Sequence, residues 1–157
     1  MLDDITIVHE LDPRWSKTPI VASGVAASIN RGEPTKAGSA GAVAIMVDGD
    51  GTTSQRFTGI AKAQSTDTVA AAGTVVLWLP LPGIVYAAKA KSAAAADTQA
   101  EVDALFYKRV VLDLTSSVWT VDTAASDAAT NGIIITGGDY RTSTVYFYVS
   151  PQVTFLF

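Results

Sequence analysis

Cysteine is absent from this chain, and histidine occurs once, at position 9. The first absence excludes disulfides and thiolate–metal sites. Positive charge is also scarce. Eleven Lys and Arg against fifteen Asp and Glu leave a formal charge of −4, with a pI near 4.7. That balance argues against nucleic acid as a partner, because neutralising phosphates needs a basic face. Long apolar runs are missing too. The longest, Thr74 to Leu81, is interrupted by Pro80 and closed by Pro82, too short for a membrane-spanning helix. The start of the chain, MLDDITIVHELDPRW, has acids where a secretory signal carries Lys or Arg, so synthesis in a cytoplasm is expected.

What is present is apolar and small. Hydrophobic residues make up 48% of the 157 and charged residues only 17%, which points to a folded domain with surface to bury rather than disorder. So little charge on so short a chain also implies apolar surface covered by copies of itself or by a partner.

Met1 to Pro19 differs from the rest. It holds acids, two Pro, the single His and Trp15, with brief alternation at Ile5 to Val8, and reads as an extended arm (1–19) before a β-rich domain (20–157). From Ile20 onward, short apolar segments alternate with turns. Ala42 to Val47 and Gln55 to Ala61 flank Asp48-Gly49-Asp50-Gly51, whose Asp-Gly pairs favour a hairpin. Thr74 to Leu79 is apolar on both faces, which suits a strand buried on both sides. Ile84 to Ala90 is expected as strand, and the alanines after it as loop. One helix is expected, Thr98 to about Phe106: Thr98 and Glu101 form a capping box, and Val102, Leu105 and Phe106 share a face. Strands follow at Lys108 to Leu114, Val118 to Val121, Ile133 to Ile135 and Thr144 to Val149. In the last, Val145, Phe147 and Val149 oppose Thr144, Tyr146 and Tyr148. Val153, Phe155 and Phe157 alternate to the end. The fold expected is therefore mainly β, a small barrel or sandwich with one short helix.

Catalytic and metal-binding patterns fail on spacing. Counted from Asp48 as an EF-hand loop, the sixth position is Thr53 rather than glycine and the twelfth is Gly59 rather than Glu. His9 lies among acids of one presumptive arm, without a nucleophile elbow elsewhere. Residues Arg31 to Gly38 lack phosphate-loop spacing. No catalytic residue, metal ligand or cofactor is expected, and the chain is expected not to be an enzyme. Tyr146 and Tyr148 suit a protein interface, or the stacking of sugar rings, in which Trp119 is a further candidate. Trp15, with Arg14 and Lys17, suits an anchor in another protein's groove, where truncating such a residue costs about 2 kcal/mol or more. Arg14, Trp15, Lys17, Tyr146 and Tyr148 are thus the partner-binding candidates. Deleting Met1 to Lys17 is expected to leave the β domain folded.

The succession GEPTK (Gly32 to Lys36), FTGIA (Phe57 to Ala61), AAGTVVLWLPLPG (Ala71 to Gly83), YAAKAKSAA (Tyr86 to Ala94), DLTSSVWTVD (Asp113 to Asp122), NGIIITGGD (Asn131 to Asp139) and TVYFYV (Thr144 to Val149) resembles the capsid decoration, or cement, proteins of tailed bacteriophages. The resemblance runs from about Ile20 to Val149 and rests on small-residue strands and turns, with no catalytic signature. It implies a small β-barrel or sandwich on the exterior of the virion capsid, bound to the major capsid protein, often as a homotrimer and often with an extended arm. The alternatives are a tail or baseplate component and a carbohydrate-binding β-sandwich.

Overall fold

Alternating apolar residues dominate the chain, and the elements they form are strands. The structure, a computed structural model, describes residues 5–9, 16–21, 28–38, 41–48, 50, 56–68, 70–81 and 83–154. Six strands form one antiparallel sheet in the order β1 (Ile5–His9), β9 (Val85–Lys89), β13 (Thr144–Val149), β12 (Ile133–Asp139), β10 (Arg109–Thr115), β11 (Val118–Asp122). A bridge between Ala90 and Val121, with the Lys91 amide donating to the Val121 carbonyl at 2.9 Å, draws the last strand toward the second. The sheet thereby curls into a half-barrel. The other sheet has seven short strands: β2 (Ser16–Lys17), β8 (Leu77–Trp78), β6 (Phe57–Ala61), β4 (Pro34–Ala37), β5 (Val43–Ile45), β3 (Ile20–Val21), β7 (Gly73–Thr74). The mainly-β expectation holds.

The main core joins the two sheets. Trp119, Tyr86, Phe57 and Phe147 are its largest fully buried side chains, with the Tyr86 and Phe147 rings 5.7 Å apart and the Tyr86 hydroxyl donating to the Leu79 carbonyl at 3.0 Å. Ile60 and Trp78 pack into this core, whereas their chain neighbours Ala61 and Leu77 join a smaller cluster with Val21, Ile29, Val43 and Val75. The seven-stranded sheet is therefore apolar on both sides, as the 74–79 segment implied. That segment is two strands rather than one, because Gly73–Thr74 pairs with β3 while Leu77–Trp78 pairs with β6 and β2.

The helix forms where the capping box placed it, as α1 (Gln99–Ala104), with the Thr98 side chain accepting from the Glu101 amide and Glu101 reaching back to the Thr98 amide. It ends earlier than expected. Val102 and Leu105 are buried, but Phe106 is exposed.

Further expectations are corrected. Ala42–Val47 and Gln55–Ala61 do not form a hairpin, since β4 lies between β5 and β6: Thr35 faces Ile45 on one side and Gly59 on the other. The acidic turn is instead a clasp between the sheets. Asp50 is buried, and its Oδ2 accepts from the Lys36 ammonium at 2.8 Å and the Val47 amide at 2.7 Å. Its carbonyl receives the Leu112 amide at 3.2 Å, and Asp48 Oδ1 receives the Leu114 amide at 3.0 Å. The second correction concerns the arm. Ile5–His9 is a strand of the half-barrel sheet, in register with Val85 to Ala88, and Ile5 is completely buried in the main core. Ser16–Lys17 pairs with β8. A boundary at residue 19 thus cuts through both sheets. At the other terminus, Pro151–Val153 is a 3-10 turn rather than strand, Val153 is buried and Thr154 bridges Phe57; Phe155 and Phe157 lie outside the described residues.

The β10–β11 hairpin carries a testable strain. Thr115 faces Val118 across a two-residue turn, and Ser116 and Ser117 both have positive φ, 53° and 64°. That is the type I′ geometry, which favours Asn-Gly and costs L-residues roughly 1–2 kcal/mol each. The double substitution Ser116→Asn, Ser117→Gly is expected to stabilise the protein by about 1 kcal/mol, raising Tm by ~2–4 °C for a chain of this size. A thermal melt that is unchanged or lower contradicts this reading of the turn.

Candidate functional site

Strand β13 divides its side chains between two environments. Val145, Phe147 and Val149 enter the core, and Thr144, Tyr146 and Tyr148 stay half-buried on the opposite face. Register then decides their neighbours. Tyr146 lies between Ala87 on β9 and Gly137 on β12, and Tyr148 lies opposite Ile134. The glycine matters here: a Cβ at Gly137 would stand 3.8 Å from the Phe106 ring and 4.0 Å from the Tyr146 ring. The outer face therefore carries two aromatic rings with a notch between them. At its other end, Tyr148, Val149, Gly83, Ile84, Val85 and Pro151 line an apolar pocket of about 210 Å³.

Two of the five partner-binding candidates from the sequence, Tyr146 and Tyr148, share this face. Lys17 belongs to β2 in the other sheet, and Arg14 and Trp15 lie outside the described residues. Trp119, the further candidate for sugar stacking, is fully buried and offers no ring to a ligand. Sequence reasoning missed the exposed pair Phe106 and Tyr107, at 46% and 70% exposure, whose rings meet edge-to-face at 4.7 Å. Helix periodicity assigns Phe106 to the core face of a longer helix. The available signal was adjacency: two consecutive aromatic residues at a helix end cannot both point inward.

Charges around the sheets are mostly engaged. The Lys89 ammonium donates to the Thr142 carbonyl at 2.5 Å, and the Asp139 side chain caps the turn Tyr140–Thr142. Among the described residues, no group of three or more His, Cys, Asp or Glu is placed to hold a metal ion. Among the described residues, one ionic group ties β10 and β11 to the chain just after β9: Lys91 lies 2.5 Å from Asp113 Oδ1 and 3.4 Å from Asp122 Oδ2. The Thr115 hydroxyl donates to Asp113 Oδ2 at 2.6 Å.

Burial pushes the Asp113 carboxyl up, but hydrogen bonds from Lys91 and Thr115 outweigh it and hold the group below its ordinary value. The bond to Asp113 in turn raises Lys91. A depressed carboxyl contributes stability that is present above the unfolded value, about 3.9, and is lost as pH falls through the folded one. In Lys91→Ala, burial acts with less opposition, so Asp113 titrates higher and acid unfolding begins at higher pH. Carboxyl NMR titration of both proteins checks this, and an unmoved Asp113 contradicts it.

The strands of this sheet thus present aromatic area, a notch at Gly137 and an apolar pocket. No protein-family model matches the chain, and no curated protein matches its sequence.

Proposed function

We propose that this chain is a structural virion protein that binds and stabilises an assembled phage head from outside, working as a homo-oligomer and not as an enzyme. The observation that carries the reading is the aromatic outer face of the half-barrel, with Tyr146 and Tyr148 half-buried on β13 and Phe106 across the Gly137 notch from Tyr146. Tyr-rich faces mounted on rigid strands are typical of protein interfaces. The sequence resemblance to capsid decoration proteins supplies the partner, the major capsid protein.

The mechanism follows from multivalency. A protein that contacts neighbouring shell subunits makes each further contact at high effective concentration, so modest single contacts sum to a clamp that resists the internal pressure of packaged DNA. A homotrimer, the assembly the resemblance implies, presents the same face three times. The acidic balance of the chain keeps it off the nucleic acid inside.

Mass spectrometry of purified particles tests the placement: the protein is expected among the head proteins, in many copies per particle. Its absence there, or its recovery only with tails, overturns the head assignment. Sedimentation equilibrium at micromolar concentration tests the assembly, with a mass near three times 16.3 kDa expected and a clean monomer counting against self-association in solution.

A further inference from the structure

The β9–β13 ladder ends at the pair Tyr86–Phe147. Past that pair the two strands are drawn in different directions. The Ser150 amide donates to the Gly132 carbonyl at 2.7 Å, which pulls the end of β13 toward β12. The Ile84 amide donates instead to the Leu81 carbonyl at 3.1 Å, in a separate turn before β9. The gap between them is the pocket lined by Gly83, Ile84, Val85, Tyr148, Val149 and Pro151. Its volume, about 210 Å³, exceeds the roughly 150 Å³ of an apolar cavity that accepts benzene. The pocket thus has the size and the lining for one phenyl ring.

The chain itself carries such rings close by. Pro151 opens a 3-10 turn that brings Thr154 back beside it, with the Thr154 hydroxyl donating to the Pro151 carbonyl at 2.9 Å. Residues three apart in this kind of turn eclipse one another, so Thr154 leaves the turn over the residue that lines the pocket. A longer strand is closed to it. Thr154 bridges Phe57 on the edge of β6 away from β4, and β8 takes that edge from Ile60 onward. The next residues in the sequence are Phe155, Leu156 and Phe157, which lie outside the described residues. All three are apolar, and three residues reach about 10 Å when extended.

We propose that this pocket is the docking site of the chain's own segment 155–157, with one phenylalanine ring entering between β9 and β13 and the other covering the mouth. Phe155 and Phe157 fall on the same side of an extended segment, so both rings face the pocket together. An apolar pocket and an apolar segment each shed water when they meet. Tethering one turn away gives the segment a high effective concentration there. The docked segment packs against Tyr148 and acts as a strap on that end of the aromatic outer face. The proposal stands apart from the virion reading.

The test uses the full chain and two variants, one ending at Thr154 and one carrying Phe155→Ser with Phe157→Ser. NMR of the full chain at low concentration is expected to show contacts between a phenylalanine ring and the methyls of Ile84, Val85 or Val149. Both variants should move those methyls and lower Tm by about 3–12 °C. Both should also admit benzene, which shifts the same methyls in the variants but not in the full chain. The peptide Thr-Phe-Leu-Phe, added to the variant ending at Thr154, should displace the benzene. The double substitution keeps the backbone past Thr154, so it carries the test if truncation unfolds the chain. Benzene that enters the full chain as readily as the variants, or methyls that stay unmoved, overturns the proposal. Ring contacts that strengthen as protein concentration rises assign the pocket to a second copy and overturn it too.

Discussion

Deleting Met1 to His9 is expected to lower the melting temperature substantially, by about 5–20 °C. The estimate comes from one side chain. Ile5 is completely buried in the main core, and removing a buried Ile costs about 2–5 kcal/mol, at ~2–4 °C per kcal/mol for a chain of this length. The deletion also strips β1 from β9, which frees the β9 backbone along Val85 to Ala88 as a new sheet edge, open to pairing with other chains. Two readouts separate these effects. Ile5→Ala should reproduce most of the loss in Tm without aggregation, while the deletion adds aggregation on heating. If the truncated protein melts with the full chain, β1 is dispensable, and the extended-arm reading of the N-terminus regains its ground.

Trp119→Ala is expected to be the most damaging single substitution. The side chain is the largest fully buried one among the described residues. It sits on β11 opposite Leu114, close to where Val121 meets Ala90 and the sheet curls. Truncating a buried Trp to Ala costs about 3–5 kcal/mol, a large fraction of the ~5–15 kcal/mol that holds a typical domain. Trp119→Phe, which keeps most of the volume, should cost less. Urea unfolding followed by circular dichroism gives both values. A loss below ~1 kcal/mol for Trp119→Ala would mean that the cavity collapses or that the core is centred elsewhere.

How much of this was legible in the sequence depends on the range of the interaction. Period-two alternation is local, so β10, β11 and β13 could be read directly from Val110-Leu112-Leu114, Trp119-Val121 and Val145-Phe147-Val149. The capping box of α1 is local too, and its hydrogen bonds form as read. Pairing is not local. Asp48-Gly49-Asp50-Gly51 has hairpin chemistry, but β4, whose Pro34 and Lys36 disguise it as a turn, inserts between the two expected partners. The N-terminal segment failed for a similar reason. Its alternation at Ile5 to Val8 was visible, yet its partner β9 lies far along the chain and the surrounding Pro and Asp suggested an arm. Of the candidate surface, the outward set on β13 was legible from alternation alone. The Phe106 and Tyr107 pair was not, because helix periodicity carries Phe106 two residues past the end of α1 at Ala104.

The central claim is that this is an adhesive building block for an assembled shell, and binding to that shell tests it most directly. Undecorated phage heads are incubated with increasing amounts of the purified protein and pelleted, and the bound fraction is quantified. The account predicts saturation at a fixed number of copies per head, higher resistance of the decorated heads to heat, and loss of binding when Tyr146 and Tyr148 are replaced by Ser in a protein that still folds. A folded protein that stays in the supernatant at every concentration contradicts it.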